Sequence, residues 1–153
     1  MAQLRFGTDA LGKEILELVR AVPRTVPSAQ DEGEREEPKP YKGDNTIVMM
    51  EWEKPYMRAL VDALEIKEEE SDVLEIGFGC GYSADRIQEL SPRSHTIVEP
   101  DLVVLDRLRK WSEGRKGVRV VEGFWQTALP TLGRYDAVFF DDFPVSVCVC
   151  VFI

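Results

Sequence analysis

Three glycines at alternate positions, Gly77, Gly79 and Gly81, follow directly on the apolar run VLEI at residues 73–76. Glycine permits a tight turn and a close approach of the backbone to a ligand, both of which larger residues prevent. Glu99 ends the next apolar run, about twenty residues further on, where a carboxylate can accept hydrogen bonds from ribose hydroxyls. This combination indicates a site for a cofactor that contains a nucleoside.

Several interpretations of this pattern stay open at the level of the residues alone. The segment could be an ordinary glycine-rich turn beside a solvated glutamate, a nicotinamide site or a methyltransferase site. The spacing GxGxG lacks the last glycine of GxGxxG, which counts against nicotinamide. Asp101 could cap the next helix or contact the cofactor. Trp125 could pack in the core or stack on an adenine ring.

The elements that must position these residues alternate between strands and helices. Alternation at this interval implies right-handed βαβ units, and so an α/β fold with a mostly parallel sheet. Ahead of the sheet, residues 46–66 predict a helix-rich segment with Pro55 in a first helical turn. The sheet region itself is predicted as strand 73–77, helix 82–90, strand 95–99, helix 101–112, strand 117–121 and strand 135–140.

The N-terminal part has a different composition. Apolar residues at helical spacing predict a short helix at residues 11–22, and residues 26–44 are rich in Pro, Glu, Asp, Lys and Gly, as flexible linkers are. We therefore predict two parts: an N-terminal helix and linker at residues 1–45, and a partial catalytic-type domain at residues 46–153.

Composition limits the partners and the compartment. A net charge of −9 over 153 residues is unsuited to binding a nucleic-acid backbone. Three cysteines cannot form a disulfide framework, and with a single histidine they predict no metal site. No segment is apolar for long enough to predict a signal peptide or a membrane span. We expect a protein of the cytoplasm, or of the nucleus, that does not bind membranes.

Five segments resemble the guanidinoacetate N-methyltransferase family and its relatives, the fungal arginine δ-N-methyltransferases. The resemblance implies a Rossmann-like class I methyltransferase fold with S-adenosylmethionine as the cofactor. It is more specific than a glycine loop, because its first segment precedes the sheet and lies outside the generic methyltransferase core. In order, the segments are VMMEWEKPYM at 48–57, VLEIGFGCG at 73–81, IVEPD at 97–101, EGFWQTALP at 122–130 and YDAVFFDDFP at 135–144.

The resemblance also implies a small guanidino compound as the substrate. Guanidinoacetate, which methylation converts to creatine, is the expected acceptor. One alternative is the δ-nitrogen of arginine. Another is a shortened, inactive chain that binds the cofactor without transferring its methyl group.

Site residues carry over from the resemblance position by position. Glu53 and Asp141 match the two acids that grip the guanidino group, as substrate-binding and catalytic residues, and Asp142 could take the place of Asp141. Two carboxylates suit this task because they can fix the guanidinium plane and accept a proton. The positions that match the cofactor site are Met49, Met57, Phe78, Gly79, Cys80, Gly81, Tyr82, Ser83, Glu99, Pro100, Asp101, Trp125 and Gln126.

The chain departs from the family pattern near its end. Phe143 replaces a tyrosine, Asp142 replaces a threonine, and the apolar tail at residues 145–153 does not resemble the family's continuation. We therefore expect the C-terminal half of the sheet to be incomplete. An open sheet edge of this kind favours self-association.

Overall fold

The structure, a computed structural model, describes residues 2–20 and 46–141. Short 3₁₀ turns at Glu51–Glu53 and Leu129–Thr131 accompany the regular elements. In chain order these elements are β1 (Ala2–Thr8), β2 (Glu14–Arg20), β3 (Thr46–Met50), α1 (Lys54–Asp62), β4 (Asp72–Ile76), α2 (Tyr82–Glu89), β5 (Ser94–Glu99), α3 (Leu102–Ser112), β6 (Val118–Glu122), α4 (Trp125–Ala128) and β7 (Ala137–Phe140).

Four strands form the predicted parallel sheet, in the order β6-β5-β4-β7. Val73 of β4 lies in register between His95 of β5 and Ala137 of β7. The chain therefore moves outward on one side of β4 and then returns to add β7 on the other side. Ligands of open α/β sheets bind at the carboxyl ends of the strands beside such a reversal. The α/β, Rossmann-like fold class is confirmed.

The predicted N-terminal helix at residues 11–22 is wrong, because residues 2–20 form an antiparallel hairpin of β1 and β2. Asp9 closes the hairpin turn by accepting hydrogen bonds from the backbone N–H groups of Leu11 and Lys13, both at 2.8 Å. Gly12 adopts the positive φ of 74° that the turn requires. Short apolar runs fit either periodicity, and here pairing with other strands decides the outcome.

The second departure is at residues 46–50, where the sequence predicts the start of a helix-rich segment. These residues form β3, which pairs with β2 across a bulge between Leu16 and Glu17. Helix α1 then begins at Lys54, with Pro55 in its first turn as predicted. The predicted boundary at residue 45 thus falls between two strands of one sheet. Most of the predicted linker and the apolar tail lie outside the described residues.

The parallel sheet is covered on both faces. On one face, α1, α2 and α3 bury a large cluster around Phe78, Ile87 and Leu105. On the other face, α4 packs on a smaller cluster that contains Leu74 and Val98. Within residues 2–20 and 46–141, no helix combines the length and the apolar character needed to cross a membrane.

Strand β7 buries one face and exposes part of the other. Its side chains alternate, with Ala137 and Phe139 buried while Val138 and Phe140 remain 49% and 46% exposed. Within the described residues, β7 pairs with β4 along one edge, and its other edge has no strand beside it.

Candidate functional site

A cavity of about 480 Å³ opens at the carboxyl ends of the parallel strands, where the fold predicts a ligand. The three-stranded sheet of β1, β2 and β3 forms one wall, and the glycine loop after β4 forms another. The wall is predominantly apolar, with carboxylates at a few positions. Its residues are Leu4, Leu16, Val48, Met49, Gly77, Phe78, Gly79, Glu99, Pro100, Asp101, Val104, Phe124 and Asp141.

The glycine loop is shaped by backbone conformations that favour glycine. Gly77, Gly79 and Gly81 have φ values of 85°, 52° and 84°. A Cβ atom on Gly79 would lie 2.9 Å from the Cε atom of Met49, which is closer than real Cβ contacts. The backbone N–H of Cys80 donates to the Sδ atom of Met49 at 3.3 Å. The loop is therefore packed directly against β3, and its positive φ values favour glycine at its centre.

Glu99 joins the ends of two neighbouring strands. Its buried carboxylate accepts hydrogen bonds from the backbone N–H groups of Phe78 and Asp101, both at 2.9 Å. These two bonds fix the carboxylate at the carboxyl ends of β4 and β5. Because Glu99 also lines the cavity, its position fits the predicted ribose-binding role.

Asp101 reconciles the two interpretations of its role. Its Oδ1 atom caps α3 by accepting from the backbone N–H groups of Val103 at 2.8 Å and Val104 at 3.1 Å. The same residue lines the cavity beside Pro100. The capping role is thus confirmed, and it fixes the residue at the edge of the site.

The two predicted substrate-binding acids are placed differently. Asp141 lines the cavity, and its backbone N–H donates to the carbonyl of Ile76 at 3.0 Å, which extends the pairing of β7 with β4. Glu53 accepts a hydrogen bond from the backbone N–H of Met50 at 2.7 Å and is absent from the described cavity wall. Its contact with a substrate stays a prediction. Asp142 lies outside the described residues.

Several predicted cofactor residues support the cavity without lining it. Met57 lies on α1 and its side chain is buried in the core. Ser83 donates a hydrogen bond to the buried carboxylate of Glu75. Tyr82 donates its hydroxyl proton to Glu14 at 3.0 Å. Gly81 and Cys80 complete the turn into α2. Burial raises the pKa of the Cys80 thiol to about 11, so the thiol stays protonated at neutral pH and is a poor nucleophile.

After β6, the aromatic ring beside the cavity belongs to Phe124, not to Trp125. The indole of Trp125 packs against Phe140 with ring centroids 5.3 Å apart and joins the smaller core cluster. Its packing in the core is the option that the structure supports. Gln126 is exposed on α4 and is likewise absent from the described cavity wall.

The sequence did not indicate six of the lining residues as site residues. Gly77 stood in the glycine pattern but was not assigned a contact. Phe124 adjoins Trp125 and Val48 adjoins Met49, while Val104 lies three residues after Asp101. Leu4 and Leu16 had no signal, because they reach the cavity only through the hairpin, whose second strand was predicted as a helix.

A buried polar network lies beneath the glycine loop. The Nε2 atom of His95 on β5 lies 2.9 Å from the Oε2 atom of Glu75, and both side chains are fully buried. The amide of Gln88 contacts the Nδ1 atom of His95 at 3.1 Å. Ser83 supplies the other partner of Glu75. This network connects β4 and β5 to α2.

One known protein family matches most of this chain. The sequence model of the family described as guanidinoacetate N-methyltransferase matches residues 42–149. This segment includes β3 and the whole parallel sheet, but not the β1–β2 hairpin.

Curated relatives include the protein arginine N-methyltransferase 2 of three fungi. The protein of Aspergillus fumigatus is 38% identical over 67% of this chain and 25% of its own length. The Eremothecium gossypii protein is 41% identical over 61% of this chain and 24% of its own length. The Neurospora crassa protein is 38% identical over 63% of this chain and 26% of its own length. The chain therefore spans about a quarter of the length of these relatives.

Among solved structures, the C-terminal domain of precorrin-6Y C5,15-methyltransferase from Rhodobacter capsulatus superimposes with a TM-score of 0.48 at 23% identity. The superposition covers 54% of this chain and 46% of that one.

Proposed function

This chain belongs to the guanidinoacetate N-methyltransferase family, and on that premise we propose that it transfers a methyl group from S-adenosylmethionine to a guanidino nitrogen. One observation carries the proposal. The glycine loop after β4, the carboxylate of Glu99 after β5 and Asp141 after β7 line a single cavity. A nucleoside-binding acid and a second acid for a cationic acceptor thus share one space.

Arginine is the favoured acceptor. The relatives named above, at 38–41% identity, are called protein arginine N-methyltransferase 2. Guanidinoacetate is the second candidate, favoured by the description of the matching family. Both acceptors present the same planar guanidinium cation, so the same carboxylates can bind either one.

The described residues fit the proposed cofactor. Gly77 and Gly79 line the cavity without side chains, so their backbone is accessible to the methionine portion of a ligand. Glu99 lines the same cavity, where a carboxylate can accept hydrogen bonds from ribose hydroxyls. The apolar side chains of Leu4, Leu16 and Phe124 offer contacts for an adenine ring. When bound, S-adenosylmethionine supplies an electrophilic methyl group on a sulfonium.

Asp141 has the chemistry that a guanidino acceptor needs. A guanidinium nitrogen is a poor nucleophile because its lone pair is delocalised and its protons are barely acidic. A carboxylate can hold the guanidinium plane through paired N–H···O bonds and accept a proton as the nitrogen is methylated. Glu53 is the proposed second acid, and its bond to the Met50 N–H leaves further acceptor positions on its carboxylate.

The function is tested by incubating the chain with S-adenosylmethionine labelled in the methyl group. Free guanidinoacetate and an arginine-rich protein are offered in separate reactions, and calorimetric titration with S-adenosylhomocysteine runs alongside. We expect label on the δ-nitrogen of arginine, identified by mass spectrometry. Label on guanidinoacetate alone would replace arginine with the second candidate. Binding without transfer to either would identify an inactive cofactor-binding chain, and no binding would refute the proposal.

The substitution Gly79→Ala should weaken S-adenosylhomocysteine binding by about tenfold or more. An alanine there must adopt a φ of +52°, and its Cβ would lie 2.9 Å from Met49. The left-handed backbone alone costs about 1–2 kcal/mol of stability. The flexible end of Met49 must also shift to make room, which alters the cavity wall beside the loop. Calorimetry and urea unfolding measure the two effects.

Gly114→Ala is the matched control for this substitution. Gly114 has a φ of +75°, but an added Cβ would have nothing within 4 Å. This variant therefore isolates the backbone strain from the steric clash. Equal stability losses in the two variants, with full binding by Gly79→Ala, would contradict the proposed packing of the loop.

A further inference from the structure

The β1–β2 hairpin lies outside the residues that match the family, yet it contributes to the cavity. Leu4 of β1 and Leu16 of β2 both line the wall opposite the glycine loop. Leu16 is 1% exposed, so its side chain is fully packed between the hairpin and the core. The shape of the cavity therefore depends on how firmly this hairpin is held.

One side chain of the hairpin is bonded to two helices of the core. The carboxylate of Glu14 accepts hydrogen bonds from both Nη atoms of Arg107 on α3, at 2.7 and 3.2 Å. It also accepts from the hydroxyl of Tyr82 at the start of α2, at 3.0 Å. Paired bonds from a guanidinium to a carboxylate are among the stronger polar contacts in proteins. Glu14 is about one-third exposed, so solvent screens these bonds only partly.

Arg107 contacts the other strand of the hairpin as well. The centre of its guanidinium lies 4.5 Å from the ring centroid of Phe6 on β1. A cation at this distance from an aromatic face is attracted to it. Arg107 therefore holds both strands, and its hydrogen bonds also lower the pKa of Glu14, which keeps that carboxylate charged at neutral pH.

The position of Glu14 is transmitted to the glycine loop through a row of side chains. Leu16 follows Glu14 by two residues and so points to the same face of β2. In register, Leu16 lies between Phe6 of β1 and Met49 of β3. Met49 in turn contacts Gly79 and accepts from the Cys80 N–H. A shift of β2 would therefore move both walls of the cavity.

We propose that Glu14 is a positioning residue for cofactor binding, which acts by tying the hairpin to α2 and α3 and so keeping Leu4, Leu16 and Met49 in the cavity wall. The inference rests on the proposed function, because it concerns the same cavity. It adds to that function a part of the site that the family match does not include.

The test compares Glu14→Gln with wild type by calorimetric titration of S-adenosylhomocysteine. The amide keeps the size of the side chain but loses the charge that pairs with Arg107. We expect the Kd to rise by about tenfold or more, since bonds to charged groups are lost from the support of the wall. In the ligand-free protein, amide hydrogen exchange in β1 and β2 should become faster.

Arg5→Gln is the matched control. Arg5 pairs with Glu17 inside the hairpin, at 2.5 Å, and not with α2 or α3. This variant removes an ion pair of the same sheet while leaving the tie to the core, so its Kd should stay within about twofold of wild type. Arg107→Lys, which keeps one charge but not the paired geometry, should give a Kd between those of wild type and Glu14→Gln.

Kinetics separates positioning from general damage to the fold. Where turnover is measurable, Glu14→Gln should raise the KM for S-adenosylmethionine and leave kcat unchanged, and Arg107→Lys gives a second route if Glu14→Gln does not fold. If both variants bound S-adenosylhomocysteine with the wild-type Kd, the proposed role of Glu14 would be overturned, while the proposed function would stand. Absence of binding by wild type would instead overturn the proposed function, and hydrogen exchange would still show whether Glu14 holds the hairpin.

Discussion

Replacing Asp141 with asparagine should lower the rate of methyl transfer by about 10²–10⁴-fold, the usual contribution of a positioned general base. The amide has nearly the same shape but cannot accept a proton from the guanidino nitrogen. It also presents N–H groups where the acceptor's own N–H groups need an oxygen. The affinity for S-adenosylhomocysteine should stay within about twofold, because the cofactor contacts proposed here come from the glycine loop and Glu99. Single-turnover assays and calorimetry measure the two quantities.

Asp106→Asn is the control for the loss of charge. Asp106 lies on α3, where it pairs with Lys110 on the surface, and its side chain is 69% exposed. Both variants remove one negative charge from the protein, but only one does so in the cavity wall. If Asp141→Asn retained the full rate, Asp141 would not be the proton acceptor. Glu53, tested as Glu53→Gln, would then be the remaining described candidate.

Replacing His95 with leucine should destabilise the fold by about 1–3 kcal/mol, the usual cost of leaving a buried polar group without its hydrogen-bond partner. His95 and Glu75 are both fully buried and lie 2.9 Å apart. Removing the imidazole leaves the Oε2 atom of Glu75 facing an apolar side chain, so this buried oxygen loses a hydrogen-bond partner. The contact with Gln88 is lost at the same time. Equilibrium unfolding in urea measures the change.

Two further variants identify the source of that loss. Gln88→Leu removes only the outer contact of the network, so it should cost less than about 1.5 kcal/mol. The double substitution Glu75→Leu with His95→Leu removes both buried partners and should recover much of the stability, since apolar replacement of a whole buried pair is often nearly neutral. A double variant as unstable as His95→Leu would indicate a packing defect in place of an unpaired carboxylate.

Sequence patterns identified those parts of the site that neighbouring residues determine. The glycine loop, Glu99 and Asp101 lie where their spacing predicted, because the end of a strand and the start of a helix are set over a few residues. Asp141 follows the same rule, since the carboxyl ends of parallel strands meet at one edge of the sheet. The α/β class required only the alternation of strands and helices.

Features that depend on distant pairing were not accessible in this way. The run at residues 14–20 fits a helical stripe, but its backbone pairs with β1 and β3, and the turn at Asp9 and Gly12 aligns the strands. The cavity contacts of Leu4 and Leu16 follow from that pairing. The choice between Phe124 and Trp125 depends on the orientation of one residue after β6, which periodicity does not resolve.

Among the described residues, one edge of β7 has no neighbouring strand, and this makes protein concentration an experimental variable. Exposed Val138 and Phe140 stand beside backbone groups that a strand of another molecule could pair with. We expect the sedimentation coefficient to rise with loading concentration, and dissociation constants from concentrated samples would then combine ligand binding with assembly. Titrations over a dilution series would separate the two equilibria, and a coefficient independent of concentration would show that this strand edge does not recruit a second molecule.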